Sequence, residues 1–123
     1  MIRVQVPAAE FLSANDRLHW AVKARRVRTI RQRAALAARG HDPAPVPCLV
    51  TVTVTRPKGG RLRDAENAAP TCKAAIDGIR DAGVLQEDDR AHVVAVISRI
   101  APKNGTGPNY VLDIDFIPQE VTW

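Results

Sequence analysis

From Cys48 to Thr55 the chain alternates without a break, with Val50, Val52 and Val54 on one side of an extended backbone and Thr51, Thr53 and Thr55 on the other. A period of two built from β-branched residues belongs to a strand with one face in a core. Ile2 to Val6 (Ile-Arg-Val-Gln-Val) repeats the pattern until Pro7 ends it, and Val93 to Ile100 supplies a third strand. In the fourth, Tyr110 to Ile117, Val111, Asp113 and Asp115 alternate with Leu112, Ile114 and Phe116. Two segments break this period. Trp20 to Arg39 is rich in Ala, Arg and Leu and stops at Gly40, with Val22, Ile30 and Ala34 as its inward stripe. A second helix starts near Asn67 as its cap and ends at Gly83, with Pro70 tolerated in the first turn, where backbone donors lack partners anyway. On that helix Cys72, Ile76 and Ile79 share one face, and Lys73, Asp77 and Arg80 another. The order β-α-β-α-β-β predicts an α+β fold, a single domain over residues 1–123 with two helices on a four-stranded mixed sheet. The Gly-rich loop Pro102 to Pro108 suggests that the last two strands pair antiparallel. Ala8 to Arg17 reads as a loop, and His41 to Pro47, with its prolines, as a stiff connector.

Charge narrows the partner. Lys and Arg number 18 against 13 Asp and Glu, a net charge of +5, which favours an anionic partner and says nothing about fold. No apolar run reaches the ~20 residues of a spanning helix, and the start of the sequence lacks a charged residue followed by a long apolar stretch, so a cytoplasmic protein without a membrane partner is expected. Cys48 and Cys72 have no His or Cys at metal-ligand spacing and read as reduced core residues.

The positive charge is densest in one stretch. Arg17, Lys23, Arg25, Arg26, Arg28, Arg31 and Arg33 fall between Asp16 and Asp42 with no carboxylate among them. A surface helix ordinarily mixes signs to gain i,i+4 pairs; like charges repel, a cost that phosphates would relieve. Lys58, Arg61 and Arg63 add to the basic surface from the loop after the Val-Thr strand. Against this background stand two acidic knots, Asp64/Glu66 and Glu87/Asp88/Asp89, flanking the second helix. Carboxylates on a surface made for polyanions repel the ligand unless a divalent cation sits between them. The bland reading has Asp64 capping the helix, Glu66 favouring its dipole and the second knot lying in a solvated turn. Lys73 is either an i,i+4 partner of Asp77 or a cation beside a phosphate. Asn15, Arg17, His19 and Trp20 form a last cluster: the rings can contact nucleic acid, or Trp20 can anchor its helix to the core. Asp113 and Asp115 read as solvent-facing strand residues.

Arg63-Asp-Ala-Glu-Asn67, Lys73-Ala-Ala-Ile-Asp77-Gly-Ile, Asp81-Ala-Gly-Val-Leu85 and Glu87-Asp-Asp89, taken in order, resemble the RusA family of Holliday-junction resolvases, typically encoded by phages and prophages. Asn15-Asp-Arg-Leu-His-Trp20 is similar to the Asn-x-Arg segment these proteins carry near the first strand. The resemblance implies a homodimeric, Mg²⁺-dependent endonuclease acting on four-way DNA junctions in a bacterial host. It implies metal-binding carboxylates at Asp64, Glu66 and Asp88, with Asp89 as a neighbouring ligand candidate, and an essential lysine at Lys73. DNA contacts would fall to Asn15, Arg17, Lys23, Arg25, Arg26, Arg28, Lys58, Arg61 and Arg63. Two features depart from the family pattern: Glu66 stands where an Asp is usual, and the Asn67 to Lys73 spacing is long and contains Pro70. A non-catalytic basic nucleic-acid-binding module and a nuclease with a simpler DNA substrate are the alternatives.

Overall fold

The alternating segments form strands where their periodicity places them, and in a computed structural model the chain is described over residues 1–62, 64–85 and 92–120. Strand β1 is Ile2–Pro7, β2 Cys48–Thr55, β3 Val93–Ile100 and β4 Asn109–Pro118; helix α1 is Trp20–Ala38 and α2 Ala69–Asp81, preceded by a 3-10 turn, Ala65–Ala68. The sheet is four-stranded and mixed, in the order β1-β4-β2-β3. β4 lies antiparallel between β1 and β2, with Val4 opposite Leu112 and Val52 opposite Ile114. β3 runs parallel to β2 along the outer edge.

That order corrects the expected pairing of the last two strands: β2 lies between them. β2, α2 and β3 form a crossover unit, in which an intervening helix returns the chain to lie parallel to the strand it left. The loop after β3 then carries the chain past the end of β2, where the Ala101 N–H donates to Val54 C=O at 2.9 Å. β4 takes the central place its sequence suits, since Leu112 and Ile114 are fully buried.

The valines of β2, with Ile2, Val4 and Val6 of β1, meet Ile30 and Ala34 of α1 and Ile76 and Ile79 of α2 in one core. On α1 the buried stripe is Ile30, Ala34 and Ala38, with Val27 packed against it, whereas Val22 is half-buried. The helices approach closely at Gly78. A Cβ there would lie 2.1 Å from the carbonyl oxygen of Arg31 and 2.8 Å from the Ala34 Cβ, so only glycine allows this crossing.

Three local expectations change. Asn67 does not cap α2; the N-cap is Ala68, which makes no side-chain cap bond, and Pro70 does sit in the first turn. Trp20 does not anchor its helix, since 77% of it is exposed. Arg31 and Arg33 are not free for a ligand: Arg31 is held by Asp81 at 2.5 and 2.7 Å and Arg33 by Glu10 at 2.6 and 2.8 Å. Their counter-charges come from other segments. Asp113 is likewise paired, bidentately, with Arg3 on the neighbouring strand.

Candidate nucleic-acid and metal site

The 3-10 turn before α2 is where segments distant in sequence converge. The Asn67 C=O accepts from the Ala14 N–H at 2.9 Å, and the Asn15 side-chain amide donates to Asn67 Oδ1 at 3.3 Å. In the first turn of α2, Thr71 is fully buried, and its hydroxyl accepts from the Leu12 N–H and donates to the Leu12 C=O. These bonds satisfy loop backbone groups that would otherwise be costly to bury. They also fasten the loop carrying Asn15 and Arg17 to the turn carrying Asp64 and Glu66.

Asp64 precedes the turn in extended backbone (φ −118°, ψ 139°), and its side chain makes no capping bond. The capping role open to it from sequence is therefore not the one it adopts. Asp64 and Glu66 are both exposed, and neither has an ion-pair or hydrogen-bond partner among the described residues. The contrast with Glu10, Asp77, Asp81 and Asp113, each held by an arginine, is direct.

Lys73 lies one to two turns into α2, and its exposed ammonium stands 3.7 Å from Asp77. The i,i+4 pair is thus present, and Asp77 is shared with Arg80. Lys73 and Asp77 rim a groove of about 350 Å³ between α2 and β3, floored by Cys72, Ile76, Val93, Val96 and Ser98. Burial pushes the Cys72 thiol up in pKa, against the opposing effect of a bond to Ser98. Both cysteines are free and buried, as core residues.

Lys58 and Arg61 lie exposed on the loop after β2. That loop is stitched to the β3–β4 connection: the Lys58 N–H donates to Gly107 C=O at 2.9 Å, the Gly105 N–H to Arg56 C=O at 2.8 Å, and the Asn104 amide to Gly60 C=O at 3.2 Å. Arg56 braces it from below through a bond to Leu62 C=O. Lys23, Arg25, Arg26 and Arg28 on α1 have no carboxylate partner among the described residues. Arg63, Glu87, Asp88 and Asp89 lie outside the described residues. The residues flanking the second acidic knot are placed: Val84 C=O accepts from the Ala44 N–H, and His92 C=O from the Cys48 N–H at the start of β2. Asp64 belongs to the other end of α2, a helix of 13 residues and so about 20 Å long.

Among the described residues no group of three or more His, Cys, Asp or Glu gathers to hold a metal, and no helix is long and apolar enough to cross a membrane. The donor set still suits a hard cation, since Mg²⁺ commonly takes one or two carboxylates and completes its shell with water and substrate phosphate oxygens. Asp64 and Glu66 supply two such groups, with no competing arginine among the described residues. Sequence reading found these carboxylates, but it missed Thr71 and the pairing of Asn15 with Asn67, which have no local signal. In comparison with known proteins, the chain matches no family model and no curated sequence.

Proposed function

We propose that this protein is a RusA-like, Mg²⁺-dependent endonuclease that cuts four-way DNA junctions as a homodimer in the bacterial cytoplasm, from a phage or prophage origin. The observation that carries the reading is the state of Asp64 and Glu66. These are two carboxylates without counter-ions among the described residues, in a protein of net charge +5, at the joint where Asn15 meets Asn67. Asp64 and Glu66 would hold Mg²⁺, joined by Asp88 or Asp89. Magnesium in such a site polarises the phosphate and activates an attacking water. Lys73 would stabilise charge developing on the phosphate; its exposed pair with Asp77 is worth no more than about 1 kcal/mol and yields readily to a stronger anion. Lys58, Arg61, Arg63 and the cations Lys23, Arg25, Arg26 and Arg28 of α1 would hold the duplex arms, with Asn15 and Arg17 next to the cut.

The dimer has support in the sheet. β3 is an edge strand whose Val94, Val96 and Ile97 are 40, 46 and 51% exposed, an apolar edge with open backbone groups. Antiparallel pairing of β3 with its copy would set the start of one strand, which residues 86–91 precede, opposite the end of the other. The ends of α2 are far apart within one chain, and a two-fold pair offers a route for the two acidic knots to meet.

The test is cleavage of a synthetic four-way junction with Mg²⁺, with chelator and Asp64→Asn as controls. Cutting that stops on chelation and in the variant, with junction binding kept, is expected. Wild-type cutting by Asp64→Asn overturns the assignment. Equal cutting of a linear duplex indicates a simpler nuclease, and binding without any Mg²⁺-dependent cutting indicates a binding module.

A further inference from the structure

The largest exposed apolar side chain of the described residues is also one closely flanked by positive charge. Trp20 opens α1 with 77% of its surface exposed, so its indole contributes almost nothing to the core. Burying such a ring would release a large apolar area from water, and leaving it uncovered forgoes that stabilisation. Its neighbours narrow what covers it. Arg17 precedes it in the loop, Lys23 follows one helical turn later on the same face, and the helix has no acid in its first turn. The His19 ring lies 5.5 Å away at 32°, fixed by its Nδ1, which accepts from the Ala21 N–H. An exposed aromatic ring with cations three residues before and three after it, and no acid in the helical turn that carries it, matches a nucleobase between its flanking phosphates better than a protein surface or a lipid tail.

Its place along the chain matters too. Asn15 is fastened to Asn67, and from Asn15 to Trp20 the backbone reaches at most about 18 Å, at ~3.6 Å per residue. That is about half a helical turn of DNA, taking a turn as ~34 Å. A duplex offers no free base face at that distance, because every base is stacked on its neighbours. A four-way junction held in its open, unstacked form does: the end pair of each arm leaves one base face uncovered at the branch point.

We infer that Trp20 is a stacking platform for a base exposed at the branch point of a nucleic-acid junction. This rests on the nuclease reading above and names the structural feature by which the same site tells a junction from a duplex. Arg17 and Lys23 hold the phosphates on either side, and the indole takes the uncovered face.

The experiment uses the full chain carrying Trp123→Phe, so that Trp20 is the only tryptophan emitter. Its fluorescence is titrated with a four-way junction, a linear duplex of the same arms, and anionic lipid vesicles. Quenching by the junction and little by the duplex is expected. Trp20→Leu should lower the ratio of junction to duplex affinity about tenfold or more, in line with the ~1–3 kcal/mol of a base–aromatic stack, while Trp20→Phe keeps most of it. Unquenched emission on a bound junction, or equal losses for junction and duplex in Trp20→Leu, overturns the inference and leaves the cleavage reading intact. An emission change with vesicles alone, or with protein concentration in the absence of DNA, assigns the indole to a membrane or to a second copy and overturns it equally. If the wild-type chain binds no nucleic acid, both readings fall together.

Discussion

Thr71 holds Leu12 by both of its backbone groups: the hydroxyl accepts from the Leu12 N–H at 2.8 Å and donates to the Leu12 C=O at 2.9 Å. Thr71 is fully buried and Leu12 nearly so. Replacing it with Val keeps the shape but strands a buried donor and acceptor. Thr71→Val should therefore destabilise the fold by about 2–6 kcal/mol, taking ~1–3 kcal/mol for each unsatisfied group, and Thr71→Ser by much less. Urea unfolding of the pair measures this.

Gly78 should tolerate no side chain. A Cβ at 2.1 Å from Arg31 O meets backbone, which cannot swing aside as a flexible side chain would. Gly78→Ala should cost about 2 kcal/mol or more despite the better helix propensity of alanine, since overpacking alone costs ~1–3 kcal/mol. A thermal melt that rises in this variant would contradict the close crossing.

The basic residues of α1 divide into two groups with different expected phenotypes. Neutralising Lys23, Arg25, Arg26 or Arg28 should make log K for DNA binding less steeply dependent on log salt, with stability unchanged. The slope should fall by about 0.9 for each duplex phosphate that is no longer neutralised. Arg31→Gln and Arg33→Gln should instead lower stability and leave that slope alone, because Asp81 and Glu10 already occupy those side chains. Salt titrations of both sets check the division.

Acid should weaken those internal ties in a defined direction. The hydrogen bond from Arg33 holds the Glu10 carboxyl below its ordinary value, outweighing burial, and Arg31 does the same for Asp81. A carboxylate whose pKa is lower in the folded state stabilises the fold fully above the unfolded value, near 4, and loses that contribution as pH falls through the folded one. The stability gap between wild type and Arg33→Gln should thus be constant from neutral pH to about 5 and close below about 4. High salt should shrink it at every pH, since both pairs are exposed.

What could be read from the chain before folding follows the range of each signal. The strands and helices were legible because period, breaker residues and apolar faces are local: Val50, Val52 and Val54 point inward as their spacing requires. The position of β3 was not. The Gly-rich loop after it suggests pairing with β4, yet it lies at the edge beyond β2, with Val94, Val96 and Ile97 exposed. The carboxylates Asp64 and Glu66 stood out by charge against a basic background. Their surroundings did not, because Asn67, which looked like a helix cap, spends its side chain on Asn15 across the fold. The charge partners of Arg31 and Arg33 come from Asp81 and Glu10, and helix-local pairing rules cannot anticipate contacts of that sequence separation.

The two borders of the sheet differ in a way that limits growth. Along β1 the outward Arg3 is tied down by Asp113, the strand is only 6 residues long and Pro7 closes it. These are devices that discourage another chain from adding on. Along β3, Arg99 donates to Thr53 on the neighbouring strand near the strand's end, while Val94, Val96 and Ile97 stay exposed. A pair joined through β3 would present only guarded margins, so growth beyond two copies would find no open border.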